Sequence, residues 1–478
     1  MSIYMRNIII RFILIIFTCS ILLPGIGPGH LAHAFTVGEE RELGEQLLTM
    51  VRAGFNLIDE PDVVQYINEL GDETLRIVGS QYYDYHFFVI NNKELNAFAA
   101  PSGLIFFHTG LIESLDSENG LVGVVAHEIG HVVSRHLANR MDKSAKINVM
   151  TTLGVLAGIA LGAGDLSQAL ISGSMAAGQS AALSFSRLDE EEADRLAFTW
   201  MQEQDRDPEA MVDMLREIRN VNRYRHGTIP QYLLTHPGPD MRMGYIQDLI
   251  LFSDKKQYAE IDDFEFQRIK QRLISITKDP IKMIPYYQNL TPAEQQETPK
   301  TVMLKYGLSQ LYLAAAEYDR AAKTLQEVIA FYPSKAILKT DLGIIHYKAG
   351  RDQEALGLLM DARRQEPKNA FTLYNLALVL EKAGRVEEAI NYYEELTLLL
   401  PDFTRVYYQL GNIKATHGEQ GEGYYNLGIY YWYEGDLPSA KHHFMQASKH
   451  LPADSKFHDN SQKMLEKIAK YQKEANRE

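Results

Sequence analysis

Apolar and polar positions fall into distinct regimes along the chain. Between Gly38 and Arg52, and again between Asp62 and Val78, apolar residues recur every three or four positions, a period that predicts two amphipathic helices. Two short runs follow, His86-Phe87-Phe88-Val89-Ile90 and Leu104-Ile105-Phe106-Phe107. Both are rich in β-formers and bounded by Asn91-Asn92 and Pro101-Ser102-Gly103, so they predict strands. A largely apolar helix is expected to start near Asp116 or Ser117, and it carries VVAHEIGHVVSRH, residues 124–136. From Met141 to Ser184 the chain turns apolar and Gly/Ala-rich, as in Val149 to Gly162. Full membrane insertion is not expected at this length. A lid or plug near the site, contact with a membrane surface, and ordinary core helices all remain open for this stretch.

Towards the C-terminus the pattern repeats. Lys348-Ala349-Gly350-Arg351 returns as Lys382-Ala383-Gly384-Arg385, and Gly418 lies a further 34 residues on. Pro333, Pro367 and Pro401 keep the same spacing, as do Ala321, Ala355 and Ala389. A 34-residue period with small residues at helix contacts and a proline after the second helix resembles the tetratricopeptide repeat, whose helix pairs stack into a curved solenoid that binds peptides or proteins. The last copy is irregular: Ala440 and Pro452 follow Ala389 and Pro401 by 51 residues, as if one helix served two neighbouring repeats. Tyr424, Tyr425, Tyr430, Tyr431, Trp432 and Tyr433 crowd that copy. Some are expected to pack between helices, and the remainder to line a groove.

Length and composition narrow the picture. A chain of 478 residues exceeds one ordinary domain, so two or three are expected. The start reads as a signal peptide: Arg6 and Arg11, an apolar run from Ile13 to Leu23, and Ala32-His33-Ala34 as a cleavage site. The alternative is an uncleaved membrane anchor. Removing those two arginines takes the net charge from −14 to −16, and no cluster of Lys and Arg is present, which argues against nucleic-acid binding. Cys19, the single cysteine, lies in the segment to be removed. The exported chain then forms no disulfide and uses no thiol as nucleophile or ligand. Such an export signal points to a bacterial envelope protein.

The chemistry centres on His127-Glu128-Ile129-Gly130-His131. Histidines at i and i+4 lie on one helix face and can reach one zinc ion. Glu128, one position on, flanks the ion and can act as a base toward water. Burying these groups among Val122, Val124, Val125, Ala126, Ile129, Val132 and Val133 is costly unless they are paired or bound to metal. The extended HExxHxxGxxH pattern is excluded, because Ser134 and Leu137 stand where it needs Gly and His. His136 falls roughly 140° around a continuous helix from His131 and is set aside as structural. A third ligand must come from elsewhere. The candidate stretch is Ser186-Arg187-Leu188-Asp189-Glu190-Glu191-Glu192-Ala193-Asp194, with Glu190 and Asp194 at i and i+4. Glu190 would bind zinc while Asp194 orients a ligand histidine.

Together these residues resemble the family of zinc metallopeptidases that includes HtpX and the CAAX prenyl endopeptidases, over roughly residues 36–250. The resemblance extends to Asn96-Ala97-Phe98-Ala99-Ala100-Pro101-Ser102-Gly103 and Thr109-Gly110-Leu111. It implies one zinc ion held by His127, His131 and Glu190, with Glu128 as base and Asp194 as supporting carboxylate. Glu191 and Glu192 remain alternatives in register, and the Ala193-Asp194 anchor favours Glu190. It also implies that His236, in Thr235-His236-Pro237-Gly238-Pro239, lies near the zinc. There His236 would stabilise an oxyanion or fill the metal's open position at rest, and Arg242 would pair with a nearby carboxylate. The segment 96–108 offers a strand edge for an extended substrate.

The reading is therefore a mostly α (α+β) chain. Residues 1–34 are a signal peptide, 35–260 a zinc metallopeptidase domain with a small β-sheet, 261–300 a linker broken by prolines, and 301–470 a tetratricopeptide solenoid. An exported peptidase of this family joined to such repeats implies a periplasmic endopeptidase in outer-membrane protein assembly and quality control. Its partners would be unfolded or misassembled outer-membrane proteins and, through the repeats, the assembly machinery. The competing class is a chaperone or binding protein whose proteolysis is secondary or latent.

Overall fold

The computed structural model describes residues 36–143, 185–224, 231–254, 256–292 and 296–475. The signal segment 1–34 and residues 144–184 of the apolar Gly/Ala-rich stretch lie outside the described residues.

The N-terminal domain opens with helix α1 (Val37–Gly54), started by a capping box in which Thr36 and Glu39 satisfy each other's backbone N–H. Helix α2 (Pro61–Val78) has proline in its first turn. Strands β1 (His86–Ile90), β2 (Ala97–Ala100) and β3 (Leu104–His108) form one sheet in the order β1-β3-β2. β3 runs parallel to β1 and antiparallel to β2, leaving β2 at an edge. The turn between β2 and β3 takes positive φ at Ser102 (66°) and Gly103 (83°). A Cβ on Gly103 would meet the Asp84 carbonyl at 2.8 Å, so this close approach requires glycine. Helix α3 (Thr109–Ser114) leads to α4 (Glu118–Val133), whose first turn is capped by Ser117. α5 (His136–Lys143), α6 (Arg187–Glu203), α7 (Glu209–Tyr224), α8 (Gln231–Thr235) and α9 (Pro239–Phe252) complete the set. α4 is buried almost end to end, and Leu121, Val122, Val124, Val125 and Ile129 join Phe107, Leu215 and Ile218 in the main core. An all-round apolar helix of this kind is driven to the centre of the domain.

Residues 261–300, expected as a linker, build helices instead. α10 (Phe264–Thr277) buries Phe266, Ile269 and Leu273 in the N-terminal core and Phe264 in the core of the repeats. α11 (Pro280–Leu290) starts on Pro280, and α12 (Pro299–Ala314) on Pro299. Two prolines read as breaks are thus helix-starting residues, where a missing N–H costs nothing. Pro285 sits inside α11.

The solenoid continues through α13 (Tyr318–Phe331), α14 (Ile337–Lys348), α15 (Asp352–Gln365), α16 (Ala370–Lys382), α17 (Val386–Leu399), α18 (Thr404–Thr416), α19 (Gln420–Tyr433), α20 (Leu437–His450) and α21 (Lys456–Ala475). Gly350, Gly384 and Gly418, one repeat apart, each turn the chain at positive φ after the first helix of a pair. In the irregular copy α19 packs closely on both neighbours: a Cβ on Gly423 would meet Ala415 N at 2.7 Å, and one on Gly428 the Phe444 ring at 2.7 Å. The aromatics there make packing contacts while staying half-buried. Tyr425 meets Phe444 and Phe457, Trp432 stacks on Tyr471, and Tyr430 meets Tyr408.

The solenoid docks on the N-terminal domain at both ends. At its start, Arg268 of α10 binds Asp341 of α14 through two hydrogen bonds (3.0 and 2.9 Å) and approaches Asp62 of α2 at 3.2 Å. Arg272 donates to Asp62 at 3.0 Å, and the Phe371 ring lies 5.1 and 4.8 Å from the two guanidinium carbons. At its end, Arg52 of α1 pairs with Asp402 at 2.6 Å and sits 4.0 Å from the Tyr433 ring centroid. Lys467 of α21 meets Glu45 of α1 at 2.9 Å. Among the described residues no helix is long and apolar enough to cross a membrane.

Candidate metal centre

α4 and α6 cross at small residues. A Cβ on Gly130 would lie 3.1 Å from the Ala193 Cα, so the two backbones nearly touch there. That contact sets His127 and His131 of α4 against Glu190 and Asp194 of α6. α6 begins with a capping box between Ser186 and Asp189, which fixes its first turn. Of the acidic run, Glu190 and Asp194 face inward and are fully buried. Glu191 pairs outward with Arg195 at 2.7 Å. Glu192, with a side chain 60% exposed, lies 3.3 Å from His136. The register left open by the sequence therefore places only Glu190 of the three glutamates among the inner groups.

His236 comes from the other side. It follows α8, its N–H donates to the Tyr232 carbonyl at 2.7 Å, and its ring stacks on Tyr232 with centroids 4.5 Å apart. Its Nδ1 lies 3.3 Å from His127 Nε2 and 3.0 Å from Glu190 Oε1. His131 Nε2 lies 3.1 Å from His127 Nε2 and 3.5 Å from Glu190 Oε1. One ligand atom from each of His127, His131, Glu190 and His236 thus falls within 4.8 Å of the others. Glu128 lies beside this group, its Oε1 3.5 Å from His236 Nε2.

Outside the four donors lies an anchoring layer. His127 Nδ1 meets Asp194 Oδ1 at 2.7 Å. Arg242 of α9, fully buried, donates to both Asp194 oxygens at 2.7 Å and lies 2.8 Å from Glu190 Oε2. The Tyr245 hydroxyl also donates to Asp194. Burial alone would raise the pKa of Asp194, but Arg242 and His127 outweigh it and hold the carboxyl below its usual range. Glu190 behaves alike: burial raises its pKa, while His236 and Arg242 drive it well down. Glu128 goes the other way, because burial dominates and raises it. Burial pushes the His131 pKa well below the ordinary histidine value, favouring the neutral form a metal requires. For His236 burial again works against charge, yet Glu190 and Glu128 raise its pKa.

Both Glu128 oxygens and His236 Nε2 are buried without a hydrogen-bond partner among the described residues. Such groups are costly inside a protein. Three imidazoles and one carboxylate, all buried, form a donor set suited to zinc, and a bound cation would compensate the exposed valence. The residues present therefore fit a metal ion.

Every candidate site residue of the sequence stands in this cluster: His127, Glu128, His131, Glu190, Asp194 and His236, with Arg242 against two carboxylates. Sequence reasoning missed Tyr232, Tyr245 and Phe185, whose ring stacks on His131 with centroids 3.8 Å apart. Two of these carried a signal. Tyr232 precedes His236 by four residues, and Tyr245 follows Arg242 by three, spacings that share a helix face.

Comparison with known proteins defines the class first. Residues 61–250 match Peptidase family M48, and residues 306–370 and 370–403 match tetratricopeptide repeats. The part of the chain before the repeats is thus similar to M48 peptidases over residues 61–250, and the part after it to tetratricopeptide repeats. Peptidases of this family are metal-dependent, in keeping with the donor group above. Particular relatives follow. The beta-barrel assembly-enhancing protease of Yersinia pestis is 32% identical over 315 residues, covering 65% of this chain and 64% of the relative. The protein of that name from Escherichia coli (strain K12) is 30% identical over 316 residues, covering 66% and 64%. The match thus spans slightly less than two thirds of the length of these relatives. The mitochondrial metalloendopeptidase OMA1 of Schizosaccharomyces pombe is 28% identical over 184 residues, covering 38% of this chain and 52% of that protein.

Proposed function

We propose that this chain is a periplasmic zinc-dependent endopeptidase that acts in the assembly and quality control of outer-membrane proteins. The observation that carries the reading is the convergence of His127, His131, Glu190 and His236 beside a buried Glu128 that has no hydrogen-bond partner among the described residues. His127, His131 and Glu190 would hold the zinc. Zinc, when bound, supplies a Lewis acid to a water and to the scissile carbonyl. Glu128, beside the donor group, would take the proton from a water there and pass it to the leaving amine. His236 would add a fourth donor or donate a hydrogen bond to the developing oxyanion. Asp194 fixes the tautomer of His127 by accepting from Nδ1. An extended client lies along β2, the sheet edge next to α4.

The client and localisation parts of the proposal draw on the names of the relatives and on the export signal read in residues 1–34. The repeats would hold unfolded or misassembled outer-membrane proteins or the machinery that inserts them. One feature supports a second reading, a chaperone whose proteolysis is latent. His127, Glu128 and His236 are inaccessible to solvent, and Phe185 covers His131. Glu128→Gln separates the two. The endopeptidase reading expects that variant to keep its zinc, to lose about 10²–10⁴-fold in cleavage of an unfolded client, and to fail in supporting outer-membrane assembly. Undiminished cleavage would sink the mechanism. Full support of assembly without cleavage would favour the chaperone.

A further inference from the structure

The outer nitrogens of the two helix-borne histidines have different partners. His127 Nδ1 faces the Asp194 carboxylate at 2.7 Å. His131 Nδ1 faces another imidazole, with His136 Nδ1 2.9 Å away and ring centroids 5.0 Å apart. On a continuous helix His136 would point far from His131. The chain is not continuous there. α4 ends at Val133, and Arg135 adopts a left-handed conformation with φ 51°, a costly state for a residue with a side chain. Arg135 is held by its guanidinium, which binds the buried Glu40 of α1 at 2.9 and 3.0 Å. Tyr83 donates to the same Glu40 oxygen at 2.6 Å. The kink starts α5 on His136 and folds that residue, only 5% exposed, back onto His131.

Two ring nitrogens 2.9 Å apart share a single proton. Resting on the metal reading above, His131 offers its Nε2 lone pair to the ion, so its proton is on Nδ1. His131 Nδ1–H then donates to His136 Nδ1. The proton of His136 is consequently on Nε2, which points at Glu192 Oε2, 3.3 Å away. Glu192 is itself steadied by the Ser134 hydroxyl at 3.0 Å. We infer that His136 is a positioning residue: by accepting the Nδ1 proton of His131 it locks that ligand's tautomer and ring orientation for metal binding. The αL kink at Arg135 is the device that places it.

The test is zinc affinity of the full chain, read by chelator competition. His136→Leu removes the acceptor and should weaken zinc binding about 10- to 100-fold, the usual effect of losing a ligand's outer partner. His136→Asn offers Oδ1 near the place of Nδ1 and should restore affinity to within about threefold of the native chain on the same principle. Unfolding midpoints of the metal-free chains check that neither variant is misfolded. Native affinity in a folded His136→Leu, or equal losses in both folded variants, overturns the inference. A native chain that binds no zinc overturns the metal reading itself, a result distinct from either. Should His136→Leu not fold, ¹⁵N-histidine spectra of the zinc-loaded native chain decide. The expected tautomers are Nδ1–H for His131 and Nε2–H for His136, and an Nδ1–H tautomer at His136 refutes the inference.

Discussion

Two of the buried clusters of charge among the described residues, one around Arg268 and one around His131, differ in one respect. Around Arg268, each guanidinium faces carboxylates: Asp341 and Asp62 against Arg268, Asp62 and Glu60 against Arg272, with the Tyr306 hydroxyl donating to Asp341. Around His131, neither Glu128 oxygen nor His236 Nε2 has a hydrogen-bond partner among the described residues, although the two groups approach to 3.5 Å. Burial of charge alone therefore does not mark a functional site. A satisfied cluster fastens two domains together, whereas a cluster with open valence is arranged for something that arrives.

Breaking the satisfied cluster should give the largest change in stability. Asp341→Ala leaves Arg268 buried without its best partner and should cost about 3–5 kcal/mol of folding stability, with zinc affinity unchanged. Denaturant unfolding and chelator competition on one preparation check both halves. The mirror experiment is Asp194→Asn. It should lower zinc affinity about 10- to 100-fold, roughly 1.4–2.7 kcal/mol, through weaker anchoring of His127. If Asp194→Asn leaves affinity intact, the anchoring layer is not what the comparison takes it to be.

Asp59 lies between these extremes, at the seam where α18 meets the N-terminal domain. It accepts from the Thr404 hydroxyl at 2.9 Å and from the Arg405 backbone, but the Arg405 guanidinium stays 3.7 Å away. Burial raises its pKa to about 6. Between its unfolded value near 3.8 and about 6, the folded chain holds a proton the unfolded chain has lost, so stability falls as pH rises through that window. Asp59→Asn should thus raise stability by about 1–2 kcal/mol at pH 7.5 and by little at pH 4, as read from unfolding at the two values. The smallest effect is expected in the repeats. Ala316 takes the place of Gly350, Gly384 and Gly418 one repeat earlier, at φ 59°. Ala316→Gly should stabilise by about 0.5–1 kcal/mol, measurable as a raised unfolding midpoint.

How far these features were legible depended on whether chemistry followed a regular element. His127 and His131, like Glu190 and Asp194, lie i and i+4 on unbroken helices, so helical geometry alone placed each pair on one face. The 34-residue period gave the solenoid for the same reason. His136 stays outside the donor group, as expected, but its place against His131 was not legible, because Arg135, a non-glycine residue, turns left-handed without any local signal. Residues 264–290 were misjudged because Pro280, here a helix start, reads equally well as a break. The contact of Gly130 with Ala193, which unites the two halves of the site, is tertiary and has no periodic trace.

The central claim is that open valence in the His127 cluster exists to hold a metal, and metal content tests it most directly. The full chain and a His127→Ala/His131→Ala variant would be loaded with zinc, exchanged into metal-free buffer and analysed for bound metal. The account predicts one zinc per native chain and none in the variant. A native chain that retains no metal, or a variant that retains as much as the native chain, would contradict it.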